Sequence, residues 1–170
     1  MSSAEDGSPR DRPILLCYDG SPDAARAIEQ AAELTGGGPA VVLYVWLPPS
    51  SLLLAGKIVA EDHPLSAAIA EFDGTARAEA QKIAAKGVEL ASKAGFDATP
   101  AAERAARGIW RAIVKVADDC DARAVVVGSH GHSPAASAVL GSTSHGVVNH
   151  CRRPVLVAPC SGDHRAEGTG

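Results

Sequence analysis

A chain of 170 residues, 46% apolar and 21% charged, suits one soluble globular domain with a substantial core. Its net charge of −4, with eleven arginines and five lysines scattered rather than striped, argues against nucleic acid as a partner. No apolar run approaches the roughly 18 residues that a membrane helix needs, so no membrane partner is expected.

Met1–Arg12 and Ser161–Gly170 are polar and rich in small and charged residues, and read as flexible tails (1–12 and 161–170) around one domain at 13–160. The first tail holds no hydrophobic run, which predicts no secretion signal and a cytoplasmic protein. Pro13–Tyr18 is a continuous apolar run, the pattern of a strand covered on both faces. Asp19-Gly20-Ser21-Pro22 ends it, with Ser21 able to cap the next helix and Pro22 suited to its first turn. That helix presents Ala27, Ile28, Ala31 and Leu34 inward and stops at Gly36-Gly37-Gly38. Ala40–Trp46 is the second strand. Leu47–Leu65, with its apolar Leu52-Leu53-Leu54, is long for an idle loop in a compact domain.

An amphipathic helix follows over about Ser66–Ala94, with Ile69, Phe72, Ala76, Ala80, Ile83, Gly87 and Leu90 facing inward and a break expected near Asp73-Gly74. Gly95 ends it. Phe96–Ala102 alternates poorly and carries Pro100, which suits an edge strand. Arg107-Gly108 turns the chain into a helix with Ile109, Ile113, Val116 and Cys120 inward. Ala122–Val127 is the fourth strand, Val147-Val148-Cys151 marks a short helix, and Pro154–Ala158 is the fifth strand. Five strands alternating with four helices make βαβ units and a parallel sheet with helices on both faces. Cys17, Cys120, Cys151 and Cys160 form no CxxC pair and read as reduced structural thiols.

Chemistry concentrates at one place. Gly128-Ser129-His130-Gly131 leaves the fourth strand, and after nine residues Gly141-Ser142-Thr143 opens the next helix. Glycines at a strand exit let a ligand approach the main chain, and helix-start amides with the positive dipole end attract anions. This is the layout of a phosphate site. In doubly wound sheets ligands sit beyond the carboxyl ends of the strands, at the point where strand order reverses. With strand order 3-2-1-4-5, Asp19 at the end of the first strand would meet Gly128 at the end of the fourth, 109 positions away. A carboxylate repels phosphate. Asp19 therefore suits an exocyclic amine or a ribose hydroxyl, alongside the simpler role of capping its own turn.

Other phosphate and hydrolase motifs are missing: there is no G-x-G-x-x-G after the first strand, no G-x-x-x-x-G-K-[ST] and no G-x-S-x-G. No acid is identifiable to orient a Ser129–His130 pair, so no catalytic residue is assigned. His130 and His132 lack the further ligands that a metal needs.

These residues resemble the universal stress protein (UspA-like) family, and in particular its ATP-binding subgroup. The subgroup's G-x2-G-x9-G-[ST] is matched by Gly128, Gly131, Gly141 and Ser142. Val125-Val126-Val127 before it, Pro154–Val157 after it, the opening Ile14–Asp19-Gly20-Ser21 and Arg107-Gly108 agree, so the resemblance spans about Arg12–Pro159. It implies a doubly wound five-stranded parallel α/β sheet in the order 3-2-1-4-5. It also implies a homodimer paired through the last strand, Pro154–Ala158, and ATP or another adenine nucleotide as ligand, with Mg²⁺ or Mn²⁺ on the phosphates. Carried over position by position, Asp19 would face the adenine and Val45 would offer main-chain groups to the base. Gly128, Gly131, Gly141, Ser142 and Thr143 would hold ribose and phosphates, with Ser129 and His130 completing the candidate set.

Two departures stand out. The nine-residue insert, which in the family often carries basic residues, has none here, so main-chain amides must meet most of the phosphate charge and AMP or ADP become candidates beside ATP. Gly108-Ile109-Trp110 lacks the family's usual proline. The expected function is a nucleotide-dependent regulatory or protective module of the stress response, read by a protein partner. The alternatives are a slow ATP hydrolase using His130, His132 and Asp19, or a dimeric module that docks a partner through Leu52–Leu54 without nucleotide.

Overall fold

A computed structural model describes residues 10–48, 66–129 and 140–159 of the chain. Most of both expected tails, Leu52–Leu54 with most of the Leu47–Leu65 segment, His130, Gly131, His132 and Cys160 lie outside the described residues.

The elements run β1 (Ile14–Cys17), α1 (Pro22–Thr35), β2 (Gly38–Trp46), α2 (Ser66–Lys93), β3 (Phe96–Arg104), α3 (Ile109–Asp119), β4 (Ala124–Gly128), α4 (Ser142–His150) and β5 (Val155–Ala158). The sheet order is β3-β2-β1-β4-β5 and every pairing is parallel, as the sequence led us to expect. Side chains alternate across a strand, and β1 shows the result. Ile14 and Leu16 enter a core with Ala27, Ile28 and Ala31 of α1 and Ala91 of α2. Leu15 enters the opposite core with Ile113 and Ala117 of α3 and Val147 of α4. Both faces of the central strands are therefore dry, which is why β1 and β4 are continuous apolar runs.

The irregular β3 is an edge strand, where Pro100 removes no hydrogen bond that a further strand would need. Ser21 caps α1, its Oγ accepting from the Ala24 amide at 3.2 Å, and Gly36 ends the helix in the left-handed region at φ 74°.

Two expectations about facing are corrected. Leu34, in the last turn of α1, is 71% exposed, and Phe72 is 60% exposed. The cause at Phe72 is length. The 28 residues of α2 span about 42 Å, whereas a nine-residue strand spans about 30 Å. The first turns of α2 overrun the sheet, and the first buried residue among those described is Ala80. The helix also passes through Asp73-Gly74 without a break, with Asp73 3.7 Å from Arg104 on β3. In α4 Val147 is buried, but Val148 faces out and Cys151 sits just past the helix end.

At the opposite end of the sheet Asp121, in the left-handed region at φ 47°, receives Arg153 at 2.6 Å and Arg12 at 3.4 Å. Arg153 first and then Arg12 hold its carboxyl below the usual range. This ties the chain entering β1 to the turn entering β4 and to the residues before β5.

Candidate functional site

β1 is shorter than its neighbour β2. Its register with β2 ends at Cys17 beside Leu43, with one further bond from the Tyr18 amide to the Leu43 carbonyl at 2.9 Å. β2 continues to Trp46. On the other side Leu16 pairs with Val126, and β4 continues to Gly128. Carried on, the two registers set Asp19 level with Val45 on one side and with Ser129 on the other. The result is a notch above the tip of β1, walled by the main-chain edge of β2 and the tip of β4. Asp19, Val45, Gly128 and Ser129 are all half-buried there.

The floor of the notch is a turn. Asp19 Oδ1 accepts from the Ser21 amide at 2.9 Å, so the capping role considered for Asp19 is present. A carboxylate keeps further acceptor capacity after one such bond. Its charge is felt around the notch: Tyr18 and Tyr44 phenols are raised, by burial first and Asp19 second. Burial, then Cys151, then Asp19 push the Cys17 thiol well up. Cys17, Cys120 and Cys151 are all free thiols.

These shifts predict an alkaline weakness. Each group has its ordinary value unfolded, 9.0 for Cys17 and 10.0 for the tyrosines, and a higher one folded. The folded state thus holds its protons more tightly, and the associated stability is complete below about pH 9 and declines as pH rises past it. The urea midpoint will fall between about pH 8 and about pH 10.5, and Cys17→Ala will flatten the fall. A midpoint that does not move contradicts the assignment.

The start of α4 adjoins the tip of β4. Gly141 is its cap residue, and its first intrahelical bond runs from the His145 amide to the Gly141 carbonyl at 2.8 Å. The amides of Ser142, Thr143 and Ser144 therefore have no place in the helix's own ladder. The amide of Gly141 itself is spent: it donates to the Ser129 carbonyl at 2.9 Å. This corrects the expectation that all the amides from Gly141 onward are open to a ligand. The Ser129 amide in turn donates to Ala158 at 2.8 Å.

Ser144 was missed by sequence reasoning. It is buried, and its hydroxyl donates to the Gly128 carbonyl at 2.6 Å, pinning the first turn of α4 to the tip of β4. The only available signal was a serine in the first turn, which a sequence cannot distinguish from a solvated one.

The structure thus brings Asp19, Val45, Gly128 and Ser129 together across three adjacent strands, with Gly141 joined to Ser129. Ser142 and Thr143 follow in the helix that Ser144 fastens to Gly128. Among the described residues no group of three His, Cys, Asp or Glu side chains is placed to hold a metal ion, and no helix is long and apolar enough to cross a membrane.

This architecture defines a doubly wound α/β protein of the kind that seats ligands at the switch point of the sheet. The family model for universal stress proteins matches residues 12–159, and the chain belongs to that family. No curated protein matches the chain.

Solved structures with the same fold include hypothetical protein MJ0577, the subject of a structure-based assignment of biochemical function. It is 20% identical, with TM-score 0.71 over 90% of this chain and 99% of that one. Another is the universal stress protein from Archaeoglobus fulgidus in complex with dAMP, 21% identical, TM-score 0.55, covering 86% and 97%. A third is a universal stress protein in complex with cAMP, 21% identical, TM-score 0.56, covering 88% and 98%.

Proposed function

We propose that this chain binds an adenine nucleotide across the tips of β1, β2 and β4 and serves as a nucleotide-dependent regulatory or protective module in the stress response of the cytoplasm. One observation carries the reading: an acid and a main-chain edge meet above the tip of β1, and three amides outside any helical ladder open the helix that is fastened to the neighbouring tip of β4. Asp19 and the main chain of Val45 take the base. Gly128, Ser129, His130, Gly131, Gly141, Ser142 and Thr143 take ribose and phosphates, with the Gly141 contribution being its small size. Adenine nucleotides bound to universal stress proteins of the same fold support the choice of base.

The insert between Gly131 and Gly141 carries no lysine or arginine. Main-chain dipoles then meet the phosphate charge, so AMP and ADP compete with ATP, and Mg²⁺ or Mn²⁺ accompanies the longer phosphate chains. β5 is an edge strand whose Val155, Leu156 and Val157 are only half-buried. A second copy pairing there makes a homodimer and covers them. A protein partner reads the nucleotide state.

Mass spectrometry of the small molecule released from heat-denatured protein tests the ligand class, and calorimetry with AMP, ADP and ATP ranks the phosphate count. Absence of binding to all three rejects the reading. Asp19→Ala will weaken ATP more than GTP, and will also cost about 1 kcal/mol of stability through the lost Ser21 bond. Equal loss for the two nucleotides in a competition assay contradicts a base-reading role.

A further inference from the structure

The two helices that cover one face of the sheet touch in an unusual way. Gly146 lies inside α4, where glycine is a poor choice for helix stability. Its place is explained by Trp110, the second residue of α3. A Cβ at position 146 would stand 2.5 Å from Trp110 Cγ, 2.6 Å from Cδ1 and 2.9 Å from Cβ. The indole is held from other sides as well. His150, one helical turn beyond Gly146, meets it edge-on with ring centroids 4.3 Å apart at 71°. The Arg111 guanidinium lies over its ring, 4.2 Å from the centroid, and is itself bonded to the Arg107 carbonyl at 3.2 Å. Trp110 is therefore a clamped knob seated in a notch that only glycine leaves open.

The notch lies three residues from Thr143, within the same short helix. A helix moves as a rigid rod, so what sets the depth of Gly146 also sets the height of the amides of Ser142, Thr143 and Ser144 above the tip of β4. Ser144 fastens that first turn to Gly128, and Trp110 fastens the second. We propose that Trp110 is a positioning residue for the candidate nucleotide site: seated in the Gly146 notch, it fixes α4 so that its N-terminal amides face the phosphates. This inference rests on the nucleotide reading above and goes beyond it, because Trp110 has no part in the expected ligand contacts.

The consequence is specific. A methyl at 146 must push α4 off α3 by roughly 0.5–1 Å to regain ordinary van der Waals separation, since the clash reaches Trp110 Cβ, which no rotation of the side chain moves. Donor–acceptor distances in a charge-assisted bond tolerate only a few tenths of an ångström, so the phosphate contacts lengthen and weaken.

The test is calorimetry with ADP on the wild type, Gly146→Ala, Trp110→Ala and the double variant, at a temperature where all are folded, with thermal melts alongside. Gly37→Ala, at the opposite end of the sheet, is the control for lost stability alone. Gly146→Ala is expected to raise the Kd for ADP about tenfold, the double variant to recover part of that loss, and Gly37→Ala to keep the wild-type Kd. Wild-type affinity in Gly146→Ala, or a double variant no better than Gly146→Ala, overturns the positioning role while leaving the nucleotide reading standing. A wild type that binds none of AMP, ADP and ATP overturns the nucleotide reading and this inference with it.

Discussion

Gly141→Val will abolish adenine-nucleotide binding while the domain keeps its fold. Gly141 has φ −56° and ψ 150°, a conformation open to any L residue, so valine brings no backbone strain there. The bond from its amide to the Ser129 carbonyl is made by main chain and survives the change. What changes is the space in front of the Ser142, Thr143 and Ser144 amides, where a branched side chain stands between the donors and any phosphate. Loss of those contacts is expected to cut affinity at least ~100-fold, about 3 kcal/mol. Titration calorimetry should show no measurable heat with ADP, and a melt should stay within a few degrees of wild type. Unchanged affinity would sink the assignment of phosphate to the start of α4.

Gly37→Ala should produce the largest loss of stability. Gly37 sits at φ +79°, and a Cβ there would run into the Gly95 carbonyl group, 2.9 Å from its carbon and nearer still to its oxygen. The turn entering β2 and the turn entering β3 are pressed together at this point. Gly38 pairs with Phe96 in register, the Gly38 amide reaches Gly95 at 3.4 Å, and Arg123 donates to the Gly37 carbonyl at 3.3 Å. Neither turn can retreat without breaking the start of the β2–β3 ladder. Left-handed strain of ~1 kcal/mol and a backbone clash of ~2 kcal/mol together give about 3 kcal/mol. For a domain of this size that is a fall in Tm of roughly 10 °C. Scanning calorimetry will show it, and a shift under about 2 °C would mean that the turns yield more easily than their pairing suggests.

How far the sequence was legible depends on the distance over which each feature is decided. β1 and β4 could be recognised because burial on both faces leaves an uninterrupted apolar run in the chain itself. The ends of α1 were equally visible, since Ser21-Pro22 and Gly36 act within a single turn. That Asp19 comes beside the tip of β4 followed once a strand order was assumed, and the order was supplied by family likeness rather than by periodicity. Leu34 and Phe72 show where periodicity misleads. A helical stripe says which residues share a face; it does not say how far the sheet beneath that face extends, and α2 is longer than its support.

By itself, then, the chain determined its elements and its layering, because these follow from local pattern and from glycine and serine acting on their own turns. Tertiary structure alone decided that the Gly141 amide is consumed by Ser129, that Ser144 and not a more conspicuous residue anchors α4, and that Gly146 exists to receive Trp110. Those are contacts between residues 12 to 36 positions apart, set by how two helices and a strand tip come to rest against one another. No local pattern encodes such a separation, since it is the packing of whole elements that chooses it.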